Sequence, residues 1–217
     1  MNILALDTAT RTGYAVHSSG VVSSNVIDCS IRTAPTKTLP ADHAGKRFSE
    51  FRTKLRELIR LHRPHLIVYE SIVGGRSAGG NTSLIQKGLE ASVLENAYNN
   101  PFGLPIPIWT FAPATIKKWA IGSGLLTHES KIAVVEFAAL TFGTEDLIPH
   151  KPTKSHPWKW DDNQCDALWI LDLARAVESR LTLAGRDPLA IESDSLTDLA
   201  RLVTAEKWNS TSKSRRP

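Results

Sequence analysis

The sequence predicts an α/β fold built on a mixed five-stranded sheet, with a three-strand antiparallel meander plus parallel strands, flanked by helices. Three observations predict this fold. The chain opens with three short segments rich in Val and Ile, which turn residues separate. Two further apolar segments then alternate with stretches whose apolar residues recur at helical spacing. Such strand and helix alternation is typical of sheets with parallel neighbours.

The first half of the chain supplies the meander and one long helix. Residues 2–8, 12–18 and 21–29 are the predicted strands of the meander. Residues 31–40 contain two prolines and three threonines without an apolar period, so they predict a loop. From residue 44 onward, apolar side chains recur every three or four positions until Pro64, which predicts an amphipathic helix.

The fourth predicted strand, residues 66–69, is a continuous apolar run, as expected for a strand buried on both faces of a sheet. A helix connects it to the meander, so we expect a crossover and parallel pairing with the first strand. Two adjacent parallel strands end at the same sheet edge, where α/β sheets bind ligands. Asp7 and Glu70 follow these strands directly and are therefore predicted to lie side by side.

The second half predicts one more strand and mainly helices. A glycine-rich loop at residues 74–80 is followed by a helix to about residue 99 and by a strand at 106–111. The remaining predicted elements are a short helix at 113–119 that begins with Pro113, a helix capped by Thr127 that ends near residue 140, a proline-containing loop at 143–159, and a final helix at 162–180. We predict one domain at residues 1–184 and a C-terminal helical appendage with a basic tail at 185–217.

Composition narrows the class of protein. With 217 residues and 41% hydrophobic residues, the chain is long enough to bury one core. No apolar run reaches the roughly 18 residues of a membrane span, and no signal peptide pattern precedes the first strand, so we expect a cytoplasmic protein without a membrane partner. Cys29 and Cys165 lack zinc-ligand spacing and are predicted to be reduced thiols. The net charge of +4 favours polyanions weakly.

Four acidic residues carry the chemistry. Asp7 and Glu70 end two strands, and Asp162 and Asp166, one turn apart, share a face of the final helix. Taken singly, each has a plainer interpretation, because Asp is common in turns and acidic residues stabilise helix N-termini. Together they predict an anionic site for hard divalent cations, the constellation of a metal-dependent nuclease.

The element order and these acids resemble the RuvC-type Holliday junction resolvases, which have an RNase H-like fold, over most of residues 2–178. The matching segments are residues 3–15, 68–70, 112–118, 122–124 and 166–168. The resemblance implies a homodimeric endonuclease that binds branched DNA, namely a four-way junction, and nicks two strands symmetrically. It also implies two Mg²⁺ or Mn²⁺ ions per active site.

The resemblance assigns roles to the acidic residues. Asp7 would bridge the two ions, while Glu70 and Asp166 would each complete the coordination of one of them. The family usually has an acid three residues before the helix aspartate, and this position is Asn163 here. We therefore predict Asp162 as the fourth catalytic and metal-binding residue, with Asn163 as a weaker alternative ligand.

The resemblance also implies basic residues that bind DNA phosphates. Lys117 matches the phosphate-contacting lysine of the family, whereas Lys118 is predicted to be solvated. The family often has a lysine just inside the following helix, where this chain offers His128 and, one turn later, Lys131; both remain open. Arg76 in the glycine-rich loop is a further predicted phosphate contact.

Alternative interpretations share much of this pattern. Other RNase H-like nucleases, acting on flaps, RNA–DNA hybrids or transposon ends, would carry nearly the same acids. The opening residues 3–10 are also similar to actin-like ATPase-fold partner proteins in tRNA modification, although the duplicated second half of those proteins is not visible in the sequence. Trp158 and Trp160 could pack locally or stack on an unpaired base. Bacterial chromosomal and phage or prophage origins both remain open.

Overall fold

The computed structural model of the chain describes residues 1–30, 41–71, 80–124, 127–153, 156–191 and 193–214. The predicted loop at residues 31–40 lies outside the described residues, and so does the glycine-rich segment up to residue 79. Arg76 belongs to that segment, so its predicted phosphate contact stays a prediction.

The described residues contain one five-stranded sheet, which confirms the predicted fold class. The strands follow one another in space as β3-β2-β1-β4-β5, with antiparallel pairing in the meander and parallel pairing of β1 with β4 and of β4 with β5. Their bounds are β1 Ile3–Asp7, β2 Arg11–Ser18, β3 Val21–Asp28, β4 Leu66–Glu70 and β5 Ile108–Phe111. The last strand begins two residues later than predicted because the amide of Ile106 donates to the carbonyl of Ala97 at the end of a helix.

Six α-helices and a short 3₁₀ turn at Pro188–Ala190 surround the sheet in the described part of the chain. Thr127 caps its helix as predicted, since its hydroxyl accepts from the amide of Ser130 and its own amide donates to the Ser130 hydroxyl. The helix bounds are α1 Ala41–His62, α2 Gly80–Tyr98, α3 Pro113–Ile121, α4 His128–Phe142, α5 Asp162–Leu183 and α6 Ser193–Ser214.

The sheet separates two hydrophobic clusters. Strand β1 shows why, because Ile3 and Ala5 face one cluster while Leu4 and Leu6 face the other, with the two-residue period of a strand. Helices α1 and α2 cover one face, and α3 to α6 cover the other. Three tryptophans, Trp109, Trp119 and Trp169, lie in the core. Cys29 and Cys165 are buried free thiols, as predicted.

The predicted C-terminal appendage is a regular helix that packs against the domain. Leu196, Ala200 and Val203 of α6 belong to the larger hydrophobic cluster. The ammonium of Lys207 lies 4.0 Å from the ring centroid of Trp119 and donates to the carbonyl oxygen of the same residue. The boundary near residue 184 stays a prediction, and residues 215–217 of the basic tail are outside the described part. None of the described helices has the length and apolar character that crossing a membrane requires.

Candidate active site

The two strand acids lie where the parallel pairing predicts. In the register of β1 and β4, Leu6 pairs with Tyr69, so the next residues, Asp7 and Glu70, end the two strands at the same sheet edge. Both residues are half-buried, whereas the residues before them on each strand are buried. Solvent and a ligand can therefore reach the ends of these strands.

Gly13 allows helix α5 to approach the sheet at this edge. It pairs with Asp7 in the β1–β2 register. A β-carbon on Gly13 would lie only 1.8 Å from the carbonyl oxygen of Asn163, in the first turn of α5. Because a glycine has no side chain, the helix backbone packs directly on the strand. This contact brings the acids of α5 to those of the strands and gives a physical reason for the glycine in the opening motif.

The start of α5 is fixed by a cap and an ion pair. Asp161 is buried, and one of its carboxylate oxygens accepts from the amide of Gln164 at 3.0 Å. Its other oxygen accepts from Arg11 Nε at 2.8 Å, and Arg11 also contacts Asp28 at 3.3 Å. Sequence reasoning missed this pair, although an Asp directly before a predicted helix is a typical capping signal.

Gln164 ties the same helix to two other parts of the chain. Its fully buried amide oxygen accepts from the amide of Ile148 at 2.8 Å. Its Nε2 donates to Ser24 Oγ at 2.9 Å and to the carbonyl of Asp146 at 2.8 Å. Both polar atoms of this side chain form hydrogen bonds, so the network fixes the position of α5 and leaves no buried polar atom of Gln164 unpaired.

Lys131 reaches into the acid cluster from α4. Its ammonium donates to Asp166 and forms an ion pair with Asp162 at 3.1 Å. Burial works against its charge, but Asp166, Asp7 and Asp162 outweigh this effect and raise the pKa of Lys131 above its usual value. The side chain therefore stays an ammonium at neutral pH. Of the two basic candidates left open by the sequence, the structure brings Lys131 to the acids.

The strand acids are less well neutralised. Burial, together with the charges of Asp166 and Glu70, raises the pKa of Asp7 well above its usual value, although Lys131 opposes the shift. Burial and Asp166 raise the pKa of Glu70 to about 7, with Lys131 and Lys117 acting in the opposite direction. Four carboxylates around one ammonium leave the site with an excess of negative charge.

The donors at this edge fit hard divalent cations by their chemistry. Carboxylate oxygens are the ligands that Mg²⁺ and Mn²⁺ prefer, and an excess of negative charge favours their binding. In the described part of the chain, no three His, Cys, Asp or Glu side chains converge closely enough to hold a metal ion. The ammonium of Lys131 is placed on Asp162 and Asp166 instead. The assignment of all four acids as metal ligands stays a prediction.

The remaining predicted residues take different positions. Lys117 on α3 is half-buried and close enough to Glu70 to affect its pKa, whereas Lys118 is exposed, as predicted. Asn163 contributes its backbone carbonyl to the contact with Gly13. His128 lies at the start of α4, with its ring centroid 5.7 Å from that of Trp158.

The two tryptophans of the proline-containing segment pack locally. Trp158 is 6% exposed and belongs to the larger hydrophobic cluster, and Trp160 is partly buried against the same cluster. Stacking on an unpaired base requires an accessible ring face. The structure therefore supports the packing interpretation for both residues.

The sheet order and the acids at the ends of β1 and β4 and on α5 define an α/β protein of the RNase H-like class.

No protein family model matches the chain. The chain is 32% identical over 143 residues to "Crossover junction endodeoxyribonuclease RuvC" from Synechococcus sp. (strain CC9311), which covers 63% of this chain and 81% of the relative. A relative of the same description from Synechococcus sp. (strain WH7803) is 31% identical over 137 residues, covering 63% and 80% of the two chains. Among solved structures, the RuvC of Thermus thermophilus matches with a TM-score of 0.50 and 20% identity, covering 84% of this chain and 97% of that one. The chain belongs to the RuvC family.

Proposed function

We propose that this protein is an endodeoxyribonuclease that resolves four-way (Holliday) DNA junctions by symmetric hydrolysis of two phosphodiester bonds. The observation that supports the proposal best is the juxtaposition of the acids of β1 and β4 with those of α5, in a chain of the RuvC family. Hydrolysis in which the 3′ oxygen is the leaving group would leave 5′-phosphate ends.

The four acids have distinct tasks in this proposal. Asp7, Glu70, Asp162 and Asp166 would hold two Mg²⁺ or Mn²⁺ ions, which supply Lewis-acid activation of water and stabilise the leaving oxygen. The buried cap and glutamine network of α5 hold its two carboxylates at the sheet edge. Lys131 neutralises part of their charge and keeps both on the face that meets the strand acids.

DNA binding requires cations outside the acid cluster. Lys117, on the helix beside Glu70, is well placed to contact a phosphate near the cleaved bond. A four-way junction has two-fold symmetry, so two active sites related by a dimer axis would cut strands of opposite arms. We therefore propose a homodimer that acts on junctions in the bacterial cytoplasm. Light scattering of the free protein and of its junction complex tests the stoichiometry.

One cleavage assay tests the substrate. The protein is incubated with a mobile four-way junction, a linear duplex, a flap and an RNA–DNA hybrid of matched length, each with Mg²⁺ and with EDTA. We expect paired, symmetric nicks in the junction with Mg²⁺ and none with EDTA. Preferred cleavage of the flap or the hybrid would show another RNase H-like nuclease. No cleavage of any substrate in Mg²⁺ or Mn²⁺ would refute the proposal.

A further inference from the structure

The segment between α4 and α5, predicted as a loop, forms a short antiparallel hairpin. The amide of Asp161 donates to the carbonyl of Ile148 at 2.9 Å, and that of His150 donates to the carbonyl of Lys159 at 2.6 Å. Pro149 pairs with Trp160 between these bonds. We call residues 148–161 the α4–α5 hairpin; its residues 154 and 155 lie outside the described part, and nothing below depends on them.

The base of the hairpin is firmly attached to the domain. The buried ring of Trp158 packs in the hydrophobic cluster of α3 to α6. The buried side chain of Gln164 accepts from the amide of Ile148. Asp161, at the other end of the hairpin, caps α5. The base of the hairpin is therefore joined to the helix that carries Asp162 and Asp166.

The outer surface of the hairpin is basic. From Leu147 to Trp160 the sequence contains no acidic residue. Lys151 and Lys159 are exposed, and neither forms an ion pair with another of the described residues. A basic surface of this kind is often only solvated, so its position relative to the active site decides whether it has a ligand.

The hairpin lies beside the acid cluster. Lys159 precedes Asp162 by three residues, which at full extension span at most about 11 Å. The backbone pairing of His150 with Lys159 places Lys151 next to this position on the opposite strand. A phosphodiester group at the acids would therefore have neighbouring phosphates of the same DNA within reach of the hairpin.

We infer that the α4–α5 hairpin is a phosphate-binding arm that holds duplex DNA next to the cleaved bond through Lys151 and Lys159. The inference rests on the proposed function, because DNA is the occupant. Duplex backbone fits better than unpaired bases, since the hairpin turns Trp158 and Trp160 into the core and offers charge without an exposed aromatic ring.

The test compares K151A/K159A with a matched control, R56A/R60A, which removes the same charge. Arg56 and Arg60 are exposed on α1, whose C-terminal end lies near the start of β4, at the sheet edge opposite the acids. Affinity for a four-way junction is measured in EDTA between about 50 and 200 mM salt, where each lost phosphate contact lowers the slope of log K against log salt by about 0.9. We expect K151A/K159A to lower the slope by nearly 2 for each subunit of the bound dimer and the control to leave it unchanged.

A second variant, K151R/K159R, keeps the charge and should retain the wild-type slope. An unchanged slope in K151A/K159A, or an equal reduction in the control, overturns the phosphate-binding arm while leaving the proposed function intact. If the wild-type protein binds neither the junction nor a linear duplex, the proposed function fails instead. Melting temperatures of the four proteins should agree, because the substituted side chains are exposed, and a lowered value in K151A/K159A alone would also overturn the inference.

Discussion

The acids contributed by the strands and those contributed by α5 lie in one site but in different electrostatic settings. Asp162 and Asp166 share the ammonium of Lys131. Asp7 and Glu70 lie outside these ion pairs, and burial and neighbouring carboxylates raise the pKa of each. The helix acids are therefore largely neutralised by the protein, and the strand acids are not.

This difference indicates where a cation would stabilise the site most. A divalent ion near the strand acids would relieve repulsion that Lys131 and Lys117 relieve only in part, whereas on the helix side it would compete with Lys131. Lys131 lowers the repulsion among these carboxylates and so favours the packing of α5 on the sheet. The predictions below alter one half of the site at a time.

Asp7→Asn should have the largest effect. Loss of a residue that only supports a metal ligand lowers activity by up to about 100-fold. Asp7→Asn removes one of the proposed ligands themselves, so the rate of junction cleavage should fall by more than this. It also removes a carboxylate from a repulsive cluster, so the melting temperature in EDTA should rise. Asp198→Asn, at an exposed position on α6, is the control for both measurements. A variant that still nicks the junction at the wild-type rate would contradict the role of the strand acids.

Gly13→Ala should separate the two halves of the site. Its β-carbon would overlap the carbonyl of Asn163, so α5 must move away from β2, at a cost of about 1–3 kcal/mol in the free energy of unfolding. Cleavage should fall more than stability alone explains, because Asp162 and Asp166 move with the helix. Gly45→Ala, with open space around the new β-carbon, is the control and should be neutral or stabilising. Equal unfolding free energies and activities for Gly13→Ala and the wild type would mean that this contact does not hold the site together.

Lys131→Met should leave the helix acids, like the strand acids, without an ion-pair partner among the described residues. Asp166 is largely buried, so losing its cation should lower the free energy of unfolding in EDTA by about 2 kcal/mol, less than for a fully buried pair. Mg²⁺ should restore more stability to this variant than to the wild type, since the ion replaces the missing charge. Lys118→Met, on the exposed side of α3, is the control. An equal gain from Mg²⁺ in all three proteins would show that Lys131 and the ion do not compete.

The sequence alone predicts the strand half of this site better than the helix half. Asp7 and Glu70 follow apolar strands, and the crossover rule makes those strands parallel neighbours, so the meeting of their ends follows from local patterns and one topological rule. The choice between His128 and Lys131 does not follow in this way. It depends on how α4 is rotated against α5, which the packing of the whole helical layer decides.

Contacts between distant residues were also beyond prediction from local patterns. Gln164 is buried with partners 18 and 140 residues away, and the Arg11–Asp161 pair joins residues 150 apart. An isolated polar residue in a sequence gives no sign of such a partner. The burial of Trp158 stayed open before the structure, since a proline-rich segment shows no regular apolar period that would indicate a core face. The packing of α6 was missed although Leu196, Leu199, Ala200 and Val203 recur at helical spacing.

The pH dependence of stability should be the smallest effect and should come from the strand half. The pKa of Glu70 is raised from 4.5 to about 7, so between these values the folded protein keeps a proton that the unfolded chain has lost. The unfolded state binds fewer protons there, and the free energy of unfolding in EDTA should therefore decrease as pH rises from about 4.5 to 7, by on the order of 1 kcal/mol. The pKa of Asp7 is raised in the same sense and adds to the decrease. Urea unfolding at pH 5 and pH 7.5 measures it, and Glu70→Gln should reduce the difference. Mg²⁺ binds the ionised carboxylates, so the free energy of unfolding that it adds should grow over the same pH interval. A free energy of unfolding in EDTA that rises with pH would show that the strand acids are already neutralised within the protein.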